Sequence, residues 1–153
     1  MSTAPISLKG RALRLLSGRE YSRLELERKL ARFEEVPGSL AKALDELTAK
    51  HFIDEQRVLA SVVHRRAAKL GAVRIQQELQ GKGLDPQAVA EAVSDLRATE
   101  LARAREVWRK KFGEPAADPK ARASQMRFLA SRGFSGDVIR RVVVGAPDEA
   151  FED

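Results

Sequence analysis

The feature that most constrains this chain is an internal repeat. Lys82-Gly83-Leu84-Asp85, followed by Val89 and Val93, matches Arg132-Gly133-Phe134-Ser135, followed by Ile139 and Val143, at a constant offset of 50 residues. Each copy reads as a base, a glycine that stops one helix, an apolar residue, a cap for the next helix, and two core positions one turn apart. Upstream, Glu78-Leu79 and Lys82 match Glu25-Leu26 and Lys29 at an offset of 53 residues, and Phe128-Leu129 and Arg132 fill the same slots in a third copy. At 153 residues the chain is about three such periods long. A unit of ~50 residues has too small a core to cover its own apolar faces. Three units stacked end to end would bury those faces against their neighbours. The expectation is an all-α fold, with three tandem three-helix repeats forming an elongated, curved array. Its divisions fall at 1–7 (a flexible N-terminus), 8–53, 54–99 and 100–144 (the repeats), and 145–153 (an acidic flexible tail).

Local punctuation agrees with helices. Ser22-Arg23-Leu24-Glu25 has the form of a capping box, in which the Ser hydroxyl and the Glu carboxylate each satisfy the other's backbone N–H. Asp54 precedes a long helical pattern. Asp85-Pro86 and Asp118-Pro119 each place a capping carboxylate before a proline at the first helical position. Gly83 and Gly133 end helical segments, and Gly113 to Asp118 is a polar loop. Apolar spacing puts Leu26, Leu30 and Phe33 on one face, and Leu40, Leu44 and Leu47 on another. Val58, Leu59, Val62 and Val63 line a third face; Leu101, Ala104, Trp108 and Phe112 line a fourth. Val142-Val143-Val144 looks strand-like but more simply ends a helix beginning near Ser135.

Composition narrows the function. There is no Cys, which excludes disulfides, thiolate catalysis and Cys-ligated zinc. No apolar run approaches the roughly 20 residues of a membrane span, and Met1 to Pro5 lacks a signal peptide's hydrophobic stretch, so a cytoplasmic protein without a membrane partner is expected. His51 and His64 show no metal-ligand spacing and no nucleophile motif beside them, and the glycines suit turns rather than a phosphate loop. The expectation is a non-enzymatic protein with no cofactor, with His51 as a helix-end residue and Trp108 as core.

Charge is what remains. The net charge is +6, and from Leu101 to Arg141 eleven bases face four acids. Residues 84–100 are net acidic, as is the tail carrying Asp148, Glu149, Glu152 and Asp153. A basic stretch between acidic ones points to a polyanion-facing surface. Arg57, Ser61 and Arg65 lie opposite the apolar face of their helix, with His64 and Lys69 near its edges. Arg105 and Arg109 are one turn apart, and Lys110 and Lys111 extend that cluster at a helix C-terminus, where cations also complement the helix dipole.

Several of these residues form a familiar pattern. The run Phe52-Ile53-Asp54-Glu55-x-Arg57, then Arg65-Arg66, then Gly71-x-x-Arg74-Ile75-x-x-Glu78-Leu79-x-x-Lys82-Gly83, resembles the signature of the RecX regulatory proteins. Ala12-Leu13-x-Leu15-Leu16 onward to Ser22-Arg23-x-Glu25-Leu26-x-x-Lys29-Leu30 is similar to that family's first unit. Lys111-Phe112-Gly113-Glu114-Pro115, with Phe128-Leu129-x-x-Arg132-Gly133-Phe134, is similar to its third. The resemblance spans residues 8 to 144. One departure is Lys69-x-Gly71-Ala72, where the family often has a Gly-x-Gly-Pro turn. The resemblance implies a modulator of the RecA recombinase; the chain is expected to act as a monomer. It would bind RecA and its filament on single-stranded DNA, touching the DNA directly or through the filament, and restrain ATPase, strand exchange and co-protease activities. Charged positions matching the family pattern are Arg57, Arg66, Arg74, Glu78, Lys82 and Arg132. With Arg65, Lys69, Arg105, Arg109, Lys110 and Lys111, the bases among them are the candidates for filament or nucleic-acid contact. The competing reading is a general DNA-binding helical module with no specific protein partner.

Overall fold

The structure, a computed structural model, describes residues 5–145. The acidic tail residues Asp148, Glu149, Glu152 and Asp153 therefore lie outside the described part. Among the described residues there are nine α-helices and no strand: α1 (Leu8–Leu16), α2 (Arg23–Leu30), α3 (Ser39–Ala49), α4 (Glu55–Arg66), α5 (Ala72–Gly81), α6 (Pro86–Ala98), α7 (Glu100–Lys111), α8 (Pro119–Ser131) and α9 (Gly136–Val143). They follow one another in threes, the all-α repeat architecture that the spacing predicts. Val142 and Val143 close α9 and do not form a strand.

The expected caps form. Ser22 Oγ accepts from the Glu25 amide at 3.2 Å, and Glu25 Oε1 accepts from the Ser22 amide at 3.0 Å, completing the capping box. Asp54, Asp85 and Asp118 accept from the amides of Gln56, Ala88 and Ala121 at 2.9, 3.0 and 2.7 Å. Ser135 caps α9 through the Val138 amide at 3.3 Å. Gly83 and Gly133 take φ of 69° and 88°, the left-handed conformation a helix stop requires. The first triplet departs from this pattern. Its α2 meets Leu30 where the second copy has Gly83, and a leucine resists the left-handed region. The chain instead tightens into a 3₁₀ turn over Ala31–Phe33 and reaches a left-handed glycine only at Gly38, φ 89°.

Packing divides the chain into two compact units. Among the described residues, the first comprises 5–61 together with Gly81–Leu84; the second comprises Val62–Gln80 and 85–145. The core of the first gathers Ala12, Leu26, Leu30, Leu40, Leu44, Leu47 and Ile53, with Phe33 and Leu15 packed against it. In the second, Ala104, Leu129, Phe134, Ile139 and Val143 form a cluster that Trp108 and Phe128 flank. Trp108 is thus core, and its indole N–H donates to Gln125 Oε1 at 2.9 Å, which keeps the buried polar edge satisfied.

Within the second unit, two glycine turns touch backbone to backbone. The Gly71 amide donates to the Arg132 carbonyl at 2.8 Å, and a Cβ at Gly71 would collide with the Gly133 carbonyl. The α4–α5 turn therefore closes on the α8–α9 turn without a side chain between them, although Ala72 stands where the family often has proline. Gly71→Ala should destabilise the protein by about 2 kcal/mol, the range of an overpacked core position. Urea denaturation checks this; a midpoint equal to that of the unaltered protein would show that the two turns can part without cost.

Candidate anion-binding surface

The candidate bases fall into two groups: those consumed in holding helices together and those left facing solvent. Arg57 belongs to the first group. In the first unit its Nε donates to Glu20 Oε1 at 2.9 Å, and its Nη2 donates to the His51 carbonyl at 2.8 Å. His51 follows α3 with φ 65°, a left-handed non-glycine residue, so Arg57 secures a costly turn. His51 is thus a helix-end residue, as expected. Lys82 is similar: its Nζ lies 3.1 Å from Glu25 Oε2, and only 12% of its side chain is exposed.

Glu25 is the hub of that contact. Arg19 donates to it at 2.8 Å, in addition to Lys82 and the Ser22 amide. Burial by itself would raise the pKa of this carboxyl, but the hydrogen bonds from Arg19, Ser22 and Lys82 outweigh it and hold the value at about 2, against an ordinary 4.5.

In the second unit, Arg66, Lys69, Arg74 and Arg132 line one cavity of about 430 Å³, with Glu78 at its wall. Arg66 Nε donates to Glu78 Oε1 at 3.0 Å, which neutralises one of the four cations. Arg74 donates to the Ser131 carbonyl at 2.6 Å, so it joins α5 to the end of α8 while keeping its charge. Arg132 lies with its guanidinium carbon 4.8 Å from the Phe128 ring centroid. The Lys69 side chain is exposed and makes no hydrogen bond or ion pair among the described residues. Bases from the end of α4, the α4–α5 turn, α5 and the α8–α9 turn therefore converge with a net charge of +3 across the five ionised groups (four cations less the one carboxylate).

The remaining candidates do not line this cavity. Arg65 is exposed on α4. On α7, Arg109 is bonded to Glu106, and Lys110 lies 3.9 Å from the same carboxylate; both are about two-thirds exposed. Lys111 approaches the Phe128 ring to 5.3 Å. Arg105 is half-buried. The helix-dipole role weighed for this C-terminal cluster therefore coexists with a local ion pair.

Two charged residues with the largest structural reach were not among the sequence candidates. Glu100 is buried, and its carboxylate accepts from the Ala72 amide at 2.7 Å and the Ser135 amide at 3.3 Å. Arg103, one turn on, donates to the carbonyls of Ala67, Leu70 and Leu96 at 2.9, 2.6 and 2.8 Å. Burial pulls the Arg103 guanidinium below its ordinary pKa, and the nearby Glu100 carboxylate opposes that. Apart from Leu96, these partners lie 28 to 36 residues away and leave no local spacing signal. Among the described residues, no cluster of His, Asp or Glu could hold a metal ion, and no helix is long and apolar enough to cross a membrane.

Three-helix units whose ends are tied together by charged side chains define a class: helical repeat proteins. The comparisons specify it further. The family descriptions "RecX, second three-helix domain" and "RecX, third three-helix domain" match residues 54–93 and 98–143. "Regulatory protein RecX" of Leptothrix cholodnii is 51% identical over 148 residues, 97% of this chain and 94% of that one. The protein of the same description from Ralstonia nicotianae is 46% identical and covers 97% and 93% of the two chains. That of Neisseria meningitidis serogroup C is 37% identical and covers 96% and 95%. Two solved structures share the fold. "Crystal structure of regulatory protein RecX" aligns with TM-score 0.72 at 22% identity, over 91% of this chain and 72% of that one. "Crystal structure of RecX from Lactobacillus salivarius" aligns with TM-score 0.70 at 18% identity, over 90% and 93%. The chain belongs to the RecX family of regulatory proteins.

Because the folded pKa of Glu25 lies below its unfolded value, the stability it contributes is complete above about pH 4.5 and is lost as the pH falls toward 2. Glu25→Gln should lower the urea midpoint at pH 7, and its deficit against the unaltered chain should shrink steadily below pH 4.5. A deficit independent of pH would mean that the carboxylate's charge is not what holds Arg19 and Lys82.

Proposed function

We propose that this chain binds a RecA-type recombinase and its filament on single-stranded DNA and restrains the filament's ATPase, strand exchange and co-protease activities. The observation that carries the reading is its relationship, over nearly the whole chain, to relatives described as regulatory protein RecX. The geometry supports it. Arg66, Lys69, Arg74 and Arg132 present a convergent positive surface, and binding through such a surface needs no catalytic group. In this reading the chain acts as a cytoplasmic monomer of three repeats, 8–53, 54–99 and 100–144. Each repeat offers a few weak contacts to a partner that is itself periodic, and linked contacts multiply into avidity.

A general DNA-binding module would use the same bases differently, by competing for bare strands. The two separate in an ATPase titration. The unaltered protein should slow DNA-dependent ATP hydrolysis by a RecA recombinase at concentrations well below those that coat the DNA. Inhibition that begins only once the strands are saturated would favour simple competition and overturn the regulator. In the same assay, Lys69→Glu with Arg132→Glu should weaken inhibition by about tenfold or more, as expected when two cations at a charged interface are reversed. Helical content should be unchanged, since neither side chain caps a helix. Inhibition equal to that of the unaltered protein would mean that this cavity is not the contact surface.

A further inference from the structure

The first unit carries a larger concentration of unpaired positive charge than the cavity around Arg74. Between Lys9 and Arg32 there are eight bases and three acids. The acids Glu20, Glu25 and Glu27 are engaged by Arg57, by Arg19 and Lys82, and by Arg23, respectively. That leaves Arg11 and Arg14 on α1, Arg28 and Lys29 on α2, and Arg32 in the 3₁₀ turn. These five line one cavity of about 470 Å³ together with Phe33, and no carboxylate lines it. None of the five has an ion pair among the described residues. Arg11 and Arg32 lie with their guanidinium carbons 3.7 and 4.6 Å from the Phe33 ring centroid. Arg28 donates to the Gly81 carbonyl at 3.3 Å. Arg14 and Lys29 are exposed and make no side-chain contact of these kinds.

Five like charges in one concavity repel one another, and a bound anion relieves that repulsion. The 3₁₀ turn that replaces a glycine stop is what brings Arg32 and Phe33 round beside α1. We propose that this cavity is a second anion site, one that holds successive backbone phosphates of a single-stranded nucleic acid. The donors come from three elements and spread along an open concavity, which suits a run of phosphates better than one compact anion. Four of the five are arginines, whose planar forks match phosphate oxygens. The guanidinium groups of Arg11 and Arg32 beside the Phe33 ring add planar surfaces on which unstacked bases can rest. The site needs no recombinase, since it meets the strand itself.

The test is direct binding of a short labelled oligothymidylate to the full chain, followed by fluorescence anisotropy across a salt series. The variant Arg14→Gln, Lys29→Gln, Arg32→Gln spares Arg28, which also holds the Gly81 carbonyl, and Arg11, whose guanidinium lies nearer the Phe33 ring than that of Arg32. Its plot of log affinity against log salt should be shallower by about two, at roughly 0.7 for each single-strand phosphate that is no longer neutralised. A control that removes the same charge elsewhere, Lys42→Gln, Lys50→Gln, Arg97→Gln, should leave the slope within about 0.7 of the unaltered chain. Equal slopes for the two triple variants, or no change in either, would overturn the site. So would a poly-glutamate peptide that competes as well as the oligonucleotide at equal charge, since the cavity would then read charge alone. Should the triple variant lose helical content, Arg14→Gln and Lys29→Gln tested singly should each reduce the slope by about 0.7. If the slopes behave as expected but the unaltered protein leaves recombinase ATPase untouched, the regulatory reading fails and this site stands.

Discussion

One buried carboxylate organises the second unit. Glu100 opens α7, and its two oxygens receive the amides that begin α5 and α9. One turn later Arg103 donates to carbonyls in the last turn of α6 and in the α4–α5 connection. Helix starts carry partial positive charge and helix ends partial negative charge, so the signs match at every contact. A charged hydrogen bond of this kind contributes about 1.5–3 kcal/mol, and an abandoned amide or carbonyl in the interior costs a similar amount. In a unit with few aromatics and many alanines, dispersion alone positions helix ends loosely. The Glu100–Arg103 turn fixes them, and with them the orientation of the α4–α5 and α8–α9 turns that carry Lys69 and Arg132.

What the sequence reveals about this fold follows the range of the interactions involved. Caps act over two or three residues, so Ser22, Asp54, Asp85, Asp118 and Ser135 were legible, as were the left-handed stops at Gly83 and Gly133. Helical faces act over four residues, and Leu40, Leu44 and Leu47 were equally plain. Glu100 was legible only as one of four acids in an acidic stretch, because its partners lie 28 and 35 residues away. The pairing of Gly71 with Gly133 was hidden for the same reason. The division of packing at Ser61, within a single helix, leaves no mark in composition or punctuation.

The candidate bases show how family patterns and surface charge can pull apart. Arg57 and Lys82 match the family signature, and both are committed to the fold: one secures the strained turn at His51, the other the capping box at Glu25. A pattern of matching residues records any role that constrains a side chain, including a structural one. Arg66 is divided between roles, since its Glu78 partner stands in the same cavity wall. Only geometry separates these cases, because a guanidinium that donates to a carbonyl and one that awaits a phosphate look the same in sequence.

Counting charges along the chain also misjudges where positive charge is available. The stretch from Leu101 to Arg141 has the larger surplus of bases, yet Arg103 there is spent on carbonyls and Arg109 and Lys110 share Glu106. The first helices have fewer bases in total, but their acids are taken by Arg19, Arg23, Arg57 and Lys82, so five cations are left in one concavity without a carboxylate. Net charge therefore sets an upper limit on what a surface can offer a polyanion, and the arrangement of the acids decides how much of it remains. Two cavities of comparable size, one in each unit and each lined by bases from several segments, would give the proposed regulator two anchoring points on an extended anionic partner. Each contact is weak and sensitive to salt, and joining them on one chain raises the effective concentration of the second once the first is made. In the proposed role of holding a filament and also releasing it, many small electrostatic contacts would serve well, since giving up one or two weakens the hold gradually.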